Sequence, residues 1–225
     1  MTRPDAVIFD LDGTLIDSVP DIAAAVNTYL EDAGWPTQDN EVIGRLIGRG
    51  ARALLKDIFM LIGHPADMAA LDRAQSVYLA NYAAEPASRT QLFPHVRDDL
   101  IALVQAGSRL GICTNKPHNL TLRVLEELNL SNLFDTVIGA DLLPYCKPDP
   151  RHLLEVVRRM QVTEQAWIYV GDTEVDIKTA EAAGAIFRAV PWGGGGELEL
   201  PDSQRLTRLS DLFKIEETGL GVHPA

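Results

Sequence analysis

Two carboxylates one residue apart, Asp10 and Asp12, stand where the short apolar run Ala6–Phe9 gives out, and Gly13 and Thr14 follow them. In a strand, residues i and i+2 share a face, so both acids can aim at one point. Gly13 allows a tight turn and close approach of an anion to the backbone. Alone, the pair reads equally well as an Asx-rich turn. Three further stretches alter that balance. Thr114 and Asn115 follow an apolar run and precede a helical pattern, where a hydroxyl and amides can hold an oxyanion. Lys147-Pro148 puts a cation in a rigid lead-in to another helix, although a solvated lysine is the ordinary case. Asp172 and Asp176 follow a fourth apolar run, with Asp176 in the first helical turn, where an acid is also favoured by the dipole alone. Two carboxylates ~4 Å apart repel by roughly 4 kcal/mol at an effective dielectric near 20. Four converging acids therefore call for cations. Lys147 and a divalent metal bring the formal sum from −4 to −1, and a proton on Asp12 brings it to zero. All-oxygen donors point to Mg2+.

The elements that must position these groups are legible as alternation. Buried-strand runs occur at Ala6–Asp10, Arg109–Cys113, Thr136–Gly139, Trp167–Val170 and Ile186–Val190. Helical patterns lie between them at Val96–Ala106, Asn119–Leu128, Pro150–Met160 and Asp176–Ala183. This predicts an α/β fold, a Rossmann-like parallel sheet with helices on both faces and ligands beyond the carboxyl ends of the strands. From residue 17 to residue 85 there is no strand signal. A helix start at Ser18 with Pro20 leads into the stripe Ile22, Val26, Tyr29, Leu30, and further helical patterns cover 41–46, 51–62 and 65–83. The expected division is a catalytic core of residues 1–16 and 86–225 with a small all-helical cap, 17–85, inserted after the first strand. Gly193–Gly196 reads as a flexible loop leading to a surface tail, in preference to a flap beside the site.

Composition narrows the class. The 225 residues are 46% hydrophobic and 23% charged, with net charge −12, a surface that repels nucleic acid and anionic lipid. No apolar run approaches the ~20 residues of a membrane span, and the N-terminus lacks a signal-peptide core. A cytoplasmic location is expected, with no nucleic-acid or membrane partner, as a monomer or homodimer. Cys113 and Cys146 are too few for a disulfide framework and read as small buried hydrophobes, and the histidines are scattered with no HxxxH or HxH spacing, so no structural zinc site is expected.

Taken together, Asp10-Leu11-Asp12-Gly13-Thr14, Thr114-Asn115, Lys147-Pro148 and Gly171-Asp172 with Asp176 resemble the four signatures of the haloacid dehalogenase superfamily, in the same order, over residues 6 to about 190. The insert resembles the cap of the subfamily that places it between the first two signatures, and the sequence is most similar to bacterial phosphoglycolate phosphatases. The resemblance implies a magnesium-dependent phosphatase acting on a small phosphorylated metabolite. Asp10 would attack phosphorus to form an aspartyl-phosphate, and Asp12 would protonate the leaving alcohol and then activate water. Asp10, the Asp12 backbone carbonyl and Asp172 would hold Mg2+, with Asp176 in support. Thr114, the Asn115 backbone and Lys147 would stabilise the transferring phosphoryl group. An acid at position 12 distinguishes phosphate-ester members from dehalogenases and phosphonate-cleaving members.

Arg45 and Arg49 lie among Gly44, Gly48 and Gly50, and a guanidinium is shaped to grip a carboxylate. The expectation is that one of them contacts the non-phosphate end of a small acid, 2-phosphoglycolate above all; a polar turn with solvated arginines is the competing reading. Other small phosphates, such as a sugar phosphate or pyrophosphate, fit the same motifs. So does a phosphomutase of the beta-phosphoglucomutase kind. A signalling receiver module lacks a helical insert, and an idle phospholigand-binding protein would not need the full catalytic set.

Overall fold

The computed structural model describes residues 4–64, 67–162 and 167–214. The chain begins with β1 (Ala6–Phe9), whose four residues are all fully buried. It turns back through β2 (Ile16–Asp17) and then runs through four helices, α1 (Val19–Asp32), α2 (Asn40–Gly44), α3 (Ala51–Leu61) and α4 (Met68–Ala84). After β3 (Gln91–Leu92) strands and helices alternate: α5 (Val96–Gln105), β4 (Arg109–Cys113), α6 (His118–Glu127), β5 (Thr136–Ile138), α7 (Pro150–Met160), β6 (Trp167–Gly171), α8 (Glu174–Ala183) and β7 (Ile186–Ala189). The five expected strands form one parallel sheet in the order β5-β4-β1-β6-β7.

Alternation along the strands explains why helices cover both faces. Val7 and Phe9 join Leu110, Ile112, Ile168 and Val170 in an apolar cluster with Leu100 and Leu103 of α5 and Val124 of α6. Ala6, Ile8 and Tyr169 point the other way, into a second cluster with Leu153, Val156 and Met160 of α7 and Ala180 of α8. Each fully buried Leu or Ile contributes on the order of 2 kcal/mol of burial free energy, so a strand buried on both faces anchors the site residues at its end. Gly111 lets α7 approach closely, since a Cβ there would lie 2.6 Å from Met160 Sδ. The strand order reverses at β1, so the crevice beyond the carboxyl ends of β1, β4 and β6 is where a ligand site belongs.

The helices between β2 and β3 have an apolar cluster of their own, built on Ile22, Val26, Leu30, Ile43, Leu55, Ile58, Phe59, Tyr78 and Tyr82, which Leu120 of α6 joins. Two short strands flank this insert where no strand signal was read: Ile16 pairs with Leu92 and Asp17 with Gln91, antiparallel. Two residues are too few to carry a period. Asp21 ties the same crossing, accepting hydrogen bonds from the Arg89 and Thr90 backbone N–H groups and from the Thr90 and Ser88 hydroxyls. The expected helix over 41–46 stops at Gly44, because Gly48 (φ 109°) and Gly50 (φ 83°) carry the chain through a loop. The expected start of the fourth helix at Pro65 lies outside the described residues. Among the described residues, no helix is long and apolar enough to cross a membrane.

Candidate active site

Asp10 continues β1 by one residue, its N–H donating to the Val170 carbonyl at 2.9 Å, so its side chain leaves the sheet at a fixed place. Asp172 holds the equivalent place after β6. One of its carboxylate oxygens accepts from the Thr14 hydroxyl at 2.7 Å and the other from the Gly194 N–H at 2.9 Å. Asp176 is fixed by a capping box at the start of α8. Its Oδ2 accepts from the Thr173 hydroxyl and N–H, while its Oδ1 accepts from Lys147 Nζ at 2.7 Å and the Tyr169 hydroxyl at 2.6 Å. Asp176 is therefore a helix cap that also holds Lys147 and Tyr169. Glycine is required where these acids crowd the backbone. A Cβ on Gly13 would lie 2.2 Å from Asp172 Oδ2, and one on Gly171 would lie 2.5 Å from Asp176 Cβ.

Lys147 Nζ lies 2.8 Å from Asp10 Oδ1, but off hydrogen-bonding alignment, so this buried carboxylate oxygen makes no hydrogen bond. Burial pushes Asp10 up to about 6, against the opposing pull of Lys147 and with help from Asp176. Asp172 is pushed up to about 8, first by burial, then by the charges of Asp176 and Asp10. Burial would raise Asp176 too, but Lys147 and the hydrogen bonds from Lys147, Tyr169 and Thr173 hold it below its usual value. One oxygen from each of Asp10, Asp172 and Asp176 falls within 4.8 Å of the others, all buried. Three buried oxygen donors, two of them destabilised as anions and one oxygen without a hydrogen bond, fit a hard divalent cation such as Mg2+. The Asp12 carboxylate is not part of that cluster. It accepts from the Ser18 hydroxyl at 2.6 Å and from Lys116 Nζ at 2.9 and 3.2 Å.

Thr114 is buried at the end of β4, beside Asp10 and Asp12 in an inner cavity of about 40 Å³. Asn115 lines the same cavity, with its side-chain amide committed to the carbonyls of Gly48 and Lys147, each at 3.0 Å. That amide nitrogen ties the insert loop to the core, while the buried Asn115 Oδ1 makes no hydrogen bond. The glycines around the arginines serve the same contact. Gly48 packs on Thr173, and Gly50 on the Asn115 carbonyl. Arg45 pairs with Glu41 at the surface and borders an outer cavity of about 530 Å³ that also reaches Asp12 and Asp172. Arg49 pairs with Asp57 and lines neither cavity.

Several groups that the motif reading passed over belong to this site. Lys116 bonds Asp12 and the Tyr82 hydroxyl of α4. Its signal was adjacency, one residue past Asn115. Tyr169 bonds Lys147 and Asp176 from an inward position on β6. The tetraglycine run is a correction: Gly193 and Gly194 press on Asp172 and Gly13, so the run lies beside the site, the reading given second place. Cys146 is a second correction, exposed where a buried hydrophobe was expected, whereas Cys113 is buried with its thiol pushed up by desolvation.

The description "haloacid dehalogenase-like hydrolase" belongs to the family that matches residues 7–190. A phosphoglycolate phosphatase of Cereibacter sphaeroides is 41% identical over 182 residues, 80% of this chain and 82% of that protein. One of Nitrosococcus oceani is 30% identical over 218 residues, 96% of each chain. Among solved structures, a predicted phosphoglycolate phosphatase from Haemophilus somnus 129pt superposes with a TM-score of 0.84 at 25% identity, over 95% of this chain and 98% of that one. A HAD-superfamily hydrolase from Geobacter sulfurreducens superposes with a TM-score of 0.69 at 27% identity, over 94% and 95%. The chain belongs to the haloacid dehalogenase-like hydrolase family, among its phosphoric monoester hydrolases.

Proposed function

We propose that the chain hydrolyses 2-phosphoglycolate to glycolate and phosphate, with residues 17–85 acting as a cap over the strand ends. The observation that carries this reading is the Asp10 carboxylate: buried, held by Lys147 at 2.8 Å, and bordering a cavity with Asp12 and Thr114. In this reading Asp10 attacks phosphorus in line with the leaving oxygen. The bond from phosphorus to the alcohol oxygen breaks as the aspartyl-phosphate forms. Asp12 gives its proton to the departing alkoxide, then takes one from the water that attacks phosphorus and frees Asp10. Ser18 on Oδ1 fixes the Asp12 rotamer and leaves Oδ2 the more lightly held oxygen. The Thr114 hydroxyl, the Asn115 N–H and Lys147 hold the oxygens of the transferring group. Asp10, Asp172, the Asp12 carbonyl and Asp176 would hold Mg2+, which supplies charge neutralisation at phosphorus.

The inner cavity supports a small leaving alcohol. At about 40 Å³ it has room for only a few water-sized groups, which suits a two-carbon acid better than a hexose. The test is phosphate release from 2-phosphoglycolate, hexose phosphates, nucleotides and pyrophosphate, with Mg2+ or chelator and with Asp10→Asn as control. Preference for 2-phosphoglycolate, lost with Asp10→Asn, is expected. Turnover surviving in that variant, or hexose-phosphate isomerisation without phosphate release, would overturn the reading.

A further inference from the structure

The inner cavity has one polar wall, where Asp10, Asp12, Thr114 and Asn115 stand, and a largely apolar one from the insert, where Ile22, Ile47 and Leu54 stand beside the rings of Tyr78 and Tyr82. A carboxylate entering it leaves water and finds little in the apolar wall to replace its hydration. Such a desolvated charge is tolerated only beside a cation. Among the residues that line the cavity there is one cationic side chain, Lys116.

Lys116 is buried, and its ammonium sits where core and insert meet, on Asp12 Oδ1 at 2.9 Å and on the Tyr82 hydroxyl. The two arginines first expected to read a carboxylate are at the surface, each satisfied by its own acid. We propose that Lys116 is the specificity-determining residue that grips the carboxylate of the substrate. This rests on the phosphoglycolate reading above and deepens it.

Connectivity supports the assignment. Asp12 faces the leaving oxygen, and in 2-phosphoglycolate the carboxylate is separated from that oxygen by a single methylene. A cation already seated on Asp12 is therefore one carbon from the group it would bind. A longer acid would carry its carboxylate past this point. Charge supports it too. With Asp12 carrying the proton it donates, Asp10, Asp172 and Asp176 sum to −3, which Lys147 and a divalent cation balance, so Lys116 is the positive charge left for a substrate carboxylate. Without Lys116, no positive charge on the cavity wall would meet an anionic leaving group.

The rival role for Lys116 is counterion to Asp12 alone, which would affect all phosphate esters alike. The experiment compares kcat/KM for 2-phosphoglycolate with that for ethyl phosphate, in which a methyl replaces the carboxylate. It uses the wild type, Lys116→Met, Lys116→Gln, Lys116→Arg, Arg45→Ala and Arg49→Ala. The ratio is taken within one preparation, so a reduced folded fraction cancels, and Lys116→Gln keeps a hydrogen bond toward Asp12 should the methionine variant not fold. The ratio is expected to fall about 10- to 100-fold when the charge is removed, the range for a charge-assisted hydrogen bond. Arginine should restore part of it, and the two surface arginine variants should leave the ratio unchanged. A wild type without preference for the acid would overturn the phosphoglycolate reading itself. A wild-type preference that survives loss of Lys116, or collapses with Arg45 or Arg49 instead, would overturn the assignment to Lys116. So would an equal loss on both substrates.

Discussion

Gly193 and Gly196 belong to one tetraglycine run, yet the structure assigns them opposite sensitivities. Gly193 has φ 57°, a left-handed conformation that costs a residue with a side chain about 1 kcal/mol. An alanine Cβ there would lie 2.2 Å from the Gly13 carbonyl oxygen and 2.8 Å from Asp172 Oδ2. Ordinary contact begins near 3.5 Å, so the loop must withdraw by ~1 Å. That motion takes the Gly194 N–H, now 2.9 Å from Asp172 Oδ2, out of bonding range, a loss of about 2 kcal/mol for a hydrogen bond to a charged group. The sum is about 3 kcal/mol, or about 6–12 °C in Tm for a chain of this length. A Cβ on Gly196 meets nothing closer than the Pro191 carbonyl at 3.4 Å, and Gly196→Ala should stay within about 0.5 kcal/mol of wild type. Thermal unfolding measures the first effect. The second is the Mg2+ concentration for half-maximal phosphate release, which should rise about tenfold in Gly193→Ala alone, because the loop orients a metal-binding carboxylate. Equal Tm and equal Mg2+ requirement in the two variants would refute the placement of the run against Asp172.

Asp21→Ala leaves the backbone N–H groups of Arg89 and Thr90 without their acceptor and should cost about 3–5 kcal/mol, read by denaturant unfolding; a loss under 1 kcal/mol would show that the crossing into the insert does not depend on it. In the metal-free protein, Asp10 and Asp172 keep protons to about 6 and about 8, whereas the unfolded chain releases them near 3.8. The folded state then binds more protons across that window, so stability falls as pH rises from about 4 to 8; Asp172→Asn should flatten the decline, as followed by Tm against pH in chelator. Mg2+ should raise the wild-type Tm, by about 2.7 kcal/mol of stabilisation at a hundredfold excess over Kd, and Asp172→Ala should respond much less at the same concentration. Tyr169→Phe removes a hydroxyl that accepts from Lys147 and donates to Asp176, and should cost about 1–3 kcal/mol; no change in denaturant midpoint would mean that Lys147 is held without it.

The parallel sheet was legible because a strand buried on both faces is written as an uninterrupted apolar run, and all five such runs became strands. Asp10, Asp12 and Asp172 were legible for a related reason, since they stand directly after those runs, where the fold class places ligand sites, whereas Lys147 and Asp176 were read from their places at the starts of helices. What escaped depends on contacts between distant parts of the chain. The β2 and β3 pair is two residues long and exists because Ile16 and Leu92 meet after some seventy intervening residues. Four consecutive glycines look the same whether they face solvent or a carboxylate, and only the Gly194 bond to Asp172 distinguishes the cases. The segment 44–50 was singled out correctly as unusual, but its glycines bring it against Asn115 and Thr173 of the core, while Arg49 turns outward to Asp57.

Lys116 shows what that long-range information adds to the chemistry. Counting charges along the sequence left the site at −1 unless Asp12 carried a proton, because a lysine one residue beyond a recognised motif has no evident direction. The structure sets two buried units side by side. Lys147 lies between Asp10 and the Tyr169 hydroxyl, and Lys116 between Asp12 and the Tyr82 hydroxyl. They differ in one respect. Tyr169 is on β6 inside the sheet, so the unit around Asp10 is assembled whatever the insert does. Tyr82 is on α4, so the unit around Asp12 is complete only while the insert sits on the core. Displacing α4 would part Lys116 from Tyr82 and open the apolar wall of the inner cavity, leaving Lys147, Asp10 and Asp176 in place. In the proposed mechanism the nucleophile Asp10 therefore keeps its partners without the insert, whereas Lys116 at the leaving-alcohol end has its Tyr82 partner only with the insert in place.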